Sequence, residues 1–215
     1  MGASVGCYVC AVTAKTGPGA AVRRATTGQL DALATVLARA FADDPMIRWP
    51  FPDLPDPEAA LQICFRAWNA GNIELGLVFE AGDGAGFAVW VPPDRAGSWL
   101  ETERLARPVV VGLTDDNGAR YDRIWDWIEE RVPAEPLWYL DQLGVDPSQQ
   151  GGGLGRALVQ FGLDRAAEAG LPAFLETAKE RNLGFYASLG FRVVDEGTVP
   201  DGGPRIWFMR CDPAR

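Results

Sequence analysis

The sequence predicts a mixed α+β fold with one core, and three observations carry that expectation. A strand-like run ending in Leu143-Gly144-Val145 passes through a polar turn, Asp146 to Gln149, into a glycine-rich helix start, after which Leu154, Leu158 and Phe161 recur at helical spacing. A second helix, Asn182 to Leu189, ends at Gly190, where a left-handed residue suits a helix terminus, and Phe191 restarts an apolar strand. Elsewhere short apolar strands alternate with helical stripes and no internal repeat. At 215 residues and 47% hydrophobic content, the chain has enough core for one globular domain.

The elements follow in order. Ala21 to Arg24 reads as a first strand. Thr26 with Gln29 makes a capping box, and Leu30, Leu33, Leu37 and Phe41 stripe a helix that stops before Pro45. Asp56-Pro57 starts a helix running to Gly71, with Trp68 in its core stripe. Strands Leu75 to Glu80 and Phe87 to Val91 are joined through Gly82-Asp83-Gly84, a hairpin signal. Ser98 and Glu101 cap a short helix, and Tyr121, Ile124, Trp125 and Ile128 stripe another that ends near Pro133. Residues 94–132 are thus a helical insertion within one domain, 21–212. Strand Leu137 to Val145, helix Leu154 to Ala169, strand Ala173 to Leu175 and helix Asn182 to Leu189 follow. Strands Phe191 to Val194 and Arg205 to Met209 close the chain. Residues 1–20 read as a flexible lead, without the basic region of a signal peptide.

Gln150 to Gly155 carry the clearest chemistry. Three adjacent glycines, Gly151, Gly152 and Gly153, leave no Cβ over the helix start. Bare N–H groups and the positive end of the helix dipole then face whatever sits there, which suits a pyrophosphate. A Walker loop needs Gly-Lys-Ser/Thr, where this chain has Gly155-Arg156-Ala157. A dinucleotide fingerprint fails too, because its last glycine falls on Arg156 or Leu158. What remains is Q-x-x-G-x-G, as Gln150, Gly153 and Gly155, after a strand ending L-G-V. That pattern resembles the acetyl-CoA pyrophosphate loop of the GNAT superfamily of N-acetyltransferases. Asn182-Leu183-Gly184-Phe185-Tyr186-Ala187-Ser188-Leu189-Gly190-Phe191 is similar to the family's second signature, with Asn182 and Tyr186 on one helix face. AFADDP, AVWVPP, EPLWYLDQLGV, LPAFLET and VPDGGPRIW extend the likeness, from about residue 20 to residue 211, toward the puromycin N-acetyltransferase group.

The resemblance implies a GNAT fold: a mixed, mostly antiparallel sheet with helices on both faces, splayed at the strand over 137–145. It implies acetyl-CoA as co-substrate, held by Leu143, Gly144, Val145, Gln150 through Arg156, and Asn182. The acceptor would be a primary amine of a small molecule, an aminonucleoside antibiotic among the candidates, attacking the thioester directly. The N–H of Leu143 or Val145 would then serve the oxyanion, and Tyr186 would protonate the departing thiolate. Glu176 is the first choice of base, with Asp141, Asp43 and Asp44 as alternatives. For the acceptor, Asp44, Trp49, Trp90, Trp138 and Tyr139 are expected near the cleft, where the aromatics would stack on a planar amine. Two other readings stand beside this one: a non-catalytic acyl-CoA sensor, and a protein N-terminal acetyltransferase.

Composition sets the limits. A net charge of −9, from 20 basic and 29 acidic residues, argues against nucleic acid and mildly favours a cationic acceptor. No apolar run approaches the roughly 18 residues that a membrane span needs. The chain has no histidine, which excludes Ser-His and Cys-His triads and most zinc enzymes. No metal is expected. Cys7, Cys10, Cys64 and Cys211 read as free thiols in a reducing cytoplasm. The assembly expected is a monomer or a homodimer.

Overall fold

The computed structural model describes residues 21–52 and 54–213. The lead expected over residues 1–20, with Cys7 and Cys10, lies outside the described residues. Seven strands form one sheet: Arg23–Arg24 (β1), Val78–Ala81 (β2), Gly86–Val91 (β3), Trp138–Val145 (β4), Ala173–Thr177 (β5), Arg192–Thr198 (β6) and Arg205–Cys211 (β7). Their spatial order is β1-β2-β3-β4-β5-β7-β6. All neighbours run antiparallel except β4 and β5, which are parallel. This is the mixed, mostly antiparallel sheet that the sequence predicts.

The parallel pair is short. Only Trp138 with Ala173 and Tyr139 with Phe174 are in register. Beyond them the strands diverge, and the edge of β4 that faces β5 has no strand partner from Leu140 onward. A second irregularity lies on the other edge of the same strand. Val89 pairs with Gln142 but Trp90 pairs with Leu140, so Asp141 is the extra residue of a β-bulge.

Seven helices cover the sheet: Leu30–Ala40 (α1), Pro45–Arg48 (α2), Pro57–Glu74 (α3), Ala96–Val111 (α4), Ala119–Glu129 (α5), Leu154–Glu168 (α6) and Leu183–Ala187 (α7). The capping box holds, with the Thr26 N–H donating to Gln29 Oε1 at 2.9 Å. Asp56 caps α3 by accepting from the Ala59 N–H at 3.1 Å, ahead of Pro57 at the first helical position. Alternation along β3 divides the core between two faces. Phe87 and Val89 pack with Leu33, Leu37, Phe65 and Tyr121 under α1, α3 and α5. Ala88 and Trp90 pack with Leu158, Val159 and Tyr186 under α6 and α7.

Three expectations are corrected. The helix α4 is long rather than short: it begins at Ala96, contains Ser98, and runs through Pro108. Burial of Ala106 and Val110 against the core outweighs both the local capping pattern and the backbone bond lost at Pro108. Trp125 is only partly buried, edge-on to Tyr121 at 6.1 Å, and Trp127 instead reaches the core, tilted on Phe208 at 5.6 Å. Trp90, expected near the acceptor, is fully buried between β3 and α6. Its Nε1 donates to the Leu158 carbonyl at 3.1 Å, and Trp138 packs against its ring at 6.5 Å. Among the described residues no helix is long and apolar enough to cross a membrane.

The helix α6 crosses this tryptophan at Gly162, where a Cβ would come within 2.0–2.5 Å of three ring atoms. Gly162→Ala should therefore destabilise the fold by about 1–3 kcal/mol or more despite its better helix propensity. Thermal denaturation checks it, and an unchanged Tm would contradict this packing.

Candidate active site

The gap between β4 and β5 opens into a cavity of about 470 Å³. Backbone geometry builds one end. Gly153 precedes α6 with φ of +89°, a left-handed conformation that glycine adopts without strain. The first bond of the helix runs from the Ala157 N–H to the Gly153 carbonyl at 3.0 Å. The N–H groups of Leu154, Gly155 and Arg156 are therefore left without helical acceptors, at the positive end of a helix 15 residues long. Gln150 folds back, its Nε2 donating to the Val145 carbonyl at 3.1 Å. Gln150, Gly151, Gly153, Leu154, Gly155 and Arg156 all line the cavity; Gly152 does not.

Leu143, Gly144 and Val145 supply the unpaired edge of β4 along the cavity wall. Asn182 lines it opposite, its Nδ2 donating to Thr177 Oγ1 at 3.2 Å, which ties the end of β5 to the turn before α7. Lys179 clamps the rim. Its Nζ donates to Asp43 Oδ1 at 2.6 Å and to the Ala40 carbonyl at 3.3 Å, and lies 3.7 Å from Asp44 Oδ2. The Lys179 and Arg181 cations beside it hold the Asp43 carboxyl below its usual range.

Titratable groups meet where the strands part. Glu176, on β5, faces the cavity and accepts the Tyr139 hydroxyl at 2.7 and 2.8 Å. Burial pushes its pKa up to about 8, against the lowering effect of that hydrogen bond. Asp141, the extra residue of the bulge, also lines the cavity; burial raises its pKa to about 7, against hydrogen bonding from the Gln142 Nε2 at 3.1 Å. Tyr186 is buried, lies between Phe185 and Phe191, and lines the same cavity. Burial first, then the Glu176 and Asp44 charges, push its phenol further above the usual tyrosine range, so it stays protonated.

The acceptor residues expected from sequence divide. Asp44 lines the cavity, while also capping α2 by accepting from the Met46 N–H at 3.0 Å. Burial raises its carboxyl, against the charge of Lys179. Tyr139 does not line this cavity; it reaches Glu176 from behind and faces a neighbouring hollow. Trp49 packs on the core edge, and Trp90 and Trp138 lie under α6. The aromatic wall is instead Phe65, Trp68, Tyr121 and Trp125, three of which read from sequence as helix stripes facing the core. Glu103 and Lys179 were not singled out by sequence, because a glutamate in the charged run ETERLAR and a lysine in a loop read as solvated. Among the described residues no group of three or more acids or thiols is placed to hold a metal ion.

The profile of the Acetyltransferase (GNAT) family matches residues 38–191, a span that includes both glycine-bearing signatures. A mycothiol acetyltransferase of Thermomonospora curvata is 31% identical over 67% of this chain and 50% of its own length. An uncharacterized N-acetyltransferase of Schizosaccharomyces pombe is 26% identical over 80% of this chain and 74% of its own. The chain spans about half the length of the mycothiol acetyltransferases it matches. A solved structure from Corynebacterium glutamicum, described as histone acetyltransferase HPA2 and related acetyltransferase, superposes with a TM-score of 0.67 at 27% identity. It covers 91% of this chain and 97% of its own. No aminonucleoside acetyltransferase is among these three relatives. A profile match over most of the chain, on a sheet that parts at β4 and β5, shows that this chain belongs to the GNAT acetyltransferase family.

Proposed function

We propose that this chain transfers the acetyl group of acetyl-CoA to a primary amine of a small molecule by direct attack. One observation carries the reading: an anion-binding helix start, an unpaired strand edge, a near-neutral carboxyl and a protonated phenol all line one cavity. The N–H groups at Leu154 to Arg156 would hold the pyrophosphate, and the open edge of β4 would take the amides of the pantetheine arm as a strand would. The Leu143 or Val145 N–H would receive the thioester carbonyl oxygen as it gains charge.

Glu176 then takes a proton from the acceptor ammonium, which frees the nitrogen lone pair to attack the carbonyl carbon. A carboxyl near 8 suits that role close to neutral pH. The C–S bond breaks, Tyr186 gives its proton to the sulfur, and the new amide nitrogen sheds its second proton to solvent. Water then carries the proton held by Glu176 back to the phenolate, which restores both groups with one proton released overall. The four aromatic rings suit an amine carried on a planar or apolar body. An aminonucleoside is one such body, and puromycin belongs in an acceptor panel. Turnover of acetyl-CoA with some member of an amine panel tests the whole reading; acetyl-CoA binding without any turnover would favour an acyl-CoA sensor instead.

Three further outcomes are expected. Gly153→Val would be a poor probe of the loop, since its left-handed φ strains any side chain. Gly155 has no such constraint, and a Cβ there would only touch Phe185 and Val145 at 3.7 Å. Gly155→Ala should keep or raise Tm while weakening acetyl-CoA about tenfold or more by calorimetry, the size of one charge-assisted contact. Undiminished affinity would place the phosphates elsewhere.

Stability should depend on pH through the buried carboxyls. Glu176 and Asp141 have folded pKa values of about 8 and 7, above the roughly 4 of unfolded chains. Their contribution is full below pH 4 and is lost as the pH rises through 7 and 8, with a slope of at most about 1.4 kcal/mol per pH unit for each. Glu176→Gln should therefore flatten the fall in Tm between about pH 4 and 8. An equally steep fall in the variant would mean that Glu176 does not hold its proton in the fold.

Tyr186→Phe keeps the ring packed on Phe185 and Phe191 and removes only the hydroxyl. It should lower kcat by about 10² or more and leave acetyl-CoA affinity nearly unchanged. A kcat within a few-fold of wild type would hand the thiolate to water.

A further inference from the structure

Glu103, on α4, lines the active-site cavity and also the neighbouring hollow of about 780 Å³ between α4 and α5, so it stands in the wall between the two. Its Oε1 is buried and has no hydrogen-bond partner. Two buried donors are directed at this pair of acids, Asn72 Nδ2 at Glu103 and Trp99 Nε1 at Asp141; each works against the rise of its carboxyl, yet neither closes to full hydrogen-bond geometry. Among the described residues neither Glu103 nor Asp141 forms a salt bridge. The arginines of α4 that line the hollow are engaged elsewhere, Arg104 with Glu101 and Arg107 with Asp122. The cations that line the active-site cavity, Arg156, Lys179 and Arg181, come from α6 and from the segment after β5. Two acids thus face the cavity without a counter-cation, beside the Tyr121 ring and its edge-on neighbour Trp125.

We propose that Glu103 and Asp141, walled by Tyr121 and Trp125, form a subsite for a second ammonium group on the acceptor. This rests on reading the cavity as an amine-acceptor site and names its substrate class: an amine with a remote second cation. One ammonium loses its proton at Glu176 and reacts, while the other stays charged between the two carboxylates and against the aromatic faces. The unpartnered oxygen of Glu103 is then satisfied by the ligand, as a buried acceptor requires. Burial, and then the Asp141 charge, raise the Glu103 carboxyl well above its usual range, which is the state of an acid that lacks its counter-cation.

The test is calorimetric binding to the full chain of α,ω-diamines of three to eight carbons, against amino alcohols of matched length. The amino alcohol keeps one ammonium and replaces the other by a neutral hydroxyl. The best-fitting diamine should bind at least tenfold more tightly than its partner, and E103Q should remove that advantage. Equal affinity of the two series for wild type, or an E103Q loss shared by both, would overturn the subsite. D141N, read the same way, serves if E103Q does not fold. Acetyl-CoA turnover measured alongside separates the two readings. Diamine preference without acetylation would sink the transferase and keep the subsite, whereas acetylation without diamine preference would do the reverse.

Discussion

The short parallel pairing of β4 with β5 is the constraint on which the rest of the site depends. A buried backbone group without a partner costs about 1–3 kcal/mol, so sheets do not normally leave a strand edge open in their middle. Here two residues pair and the following residues of β4, through Val145, do not. The opening is held from several sides. The turn after β5 is tied by Asn182 to Thr177, and Lys179 binds that segment to the end of α1 through Asp43 and Ala40. The glycine loop lines the gap at the C-terminal end of β4, with Gln150 holding the Val145 carbonyl. A ligand that carries its own amides and a pyrophosphate is the kind of molecule that completes such an edge, which is how a gap in a sheet becomes a binding slot.

The bulge at Asp141 adds the electrostatic half. Regular alternation along β4 would set Asp141 on the face of Tyr139 and Gln142 on that of Leu140; across the bulge Gln142 instead accepts from Asn69 Nδ2 at 2.9 Å on the α3 side. Asp141 comes to lie close enough to Glu176 and Glu103 for its charge to raise both of their carboxyls. Like charges in a poorly solvated space hold onto protons, and this drives the group of acids toward neutrality near physiological pH. The hydrogen bonds that Tyr139 gives Glu176 work against that trend, while fixing the direction in which the carboxyl points.

How much of this was legible in the sequence depends on the range of the interaction involved. The glycine loop and the Asn182 to Phe191 segment are local: a helix start and a helix stop are written in adjacent residues, and both fall where the sequence predicts them. Element types follow from periodicity for the same reason. The long helix α4 escapes because its stability comes from Ala106 and Val110 meeting a core built by distant residues. The bulge escapes too, since register is a property of two strands. Tryptophans mislead most. Trp90 and Trp138 lie on strands, and nothing in sequence distinguishes the face under α6 from the cavity side. Trp125 and Trp127 differ by two positions on one helix, and only the path of α5 decides which ring faces the cavity.

The two ends of the cavity differ in kind, with backbone donors at one and proton-holding acids at the other. At the α6 end lie uncapped N–H groups, with Arg156 donating to Ser188 Oγ at 2.6 Å from an otherwise exposed position. Toward α4 and α5 lie Glu103 and Asp141, with Glu176 on β5 and the cations Lys179 and Arg181 between the two ends. Unit charges about 4 Å apart interact by roughly 4 kcal/mol at the effective dielectric of a protein surface. Carboxyls that hold their protons supply little of such a field by themselves; a cation entering among them draws the protons off and brings the attraction with it. On the proposed reading, a molecule with phosphates at one end would lie with them at the helix start, and an amine would come from the acidic side. The reacting atoms would then meet at the parting of β4 and β5, beside the Glu176 carboxyl and the Tyr186 phenol.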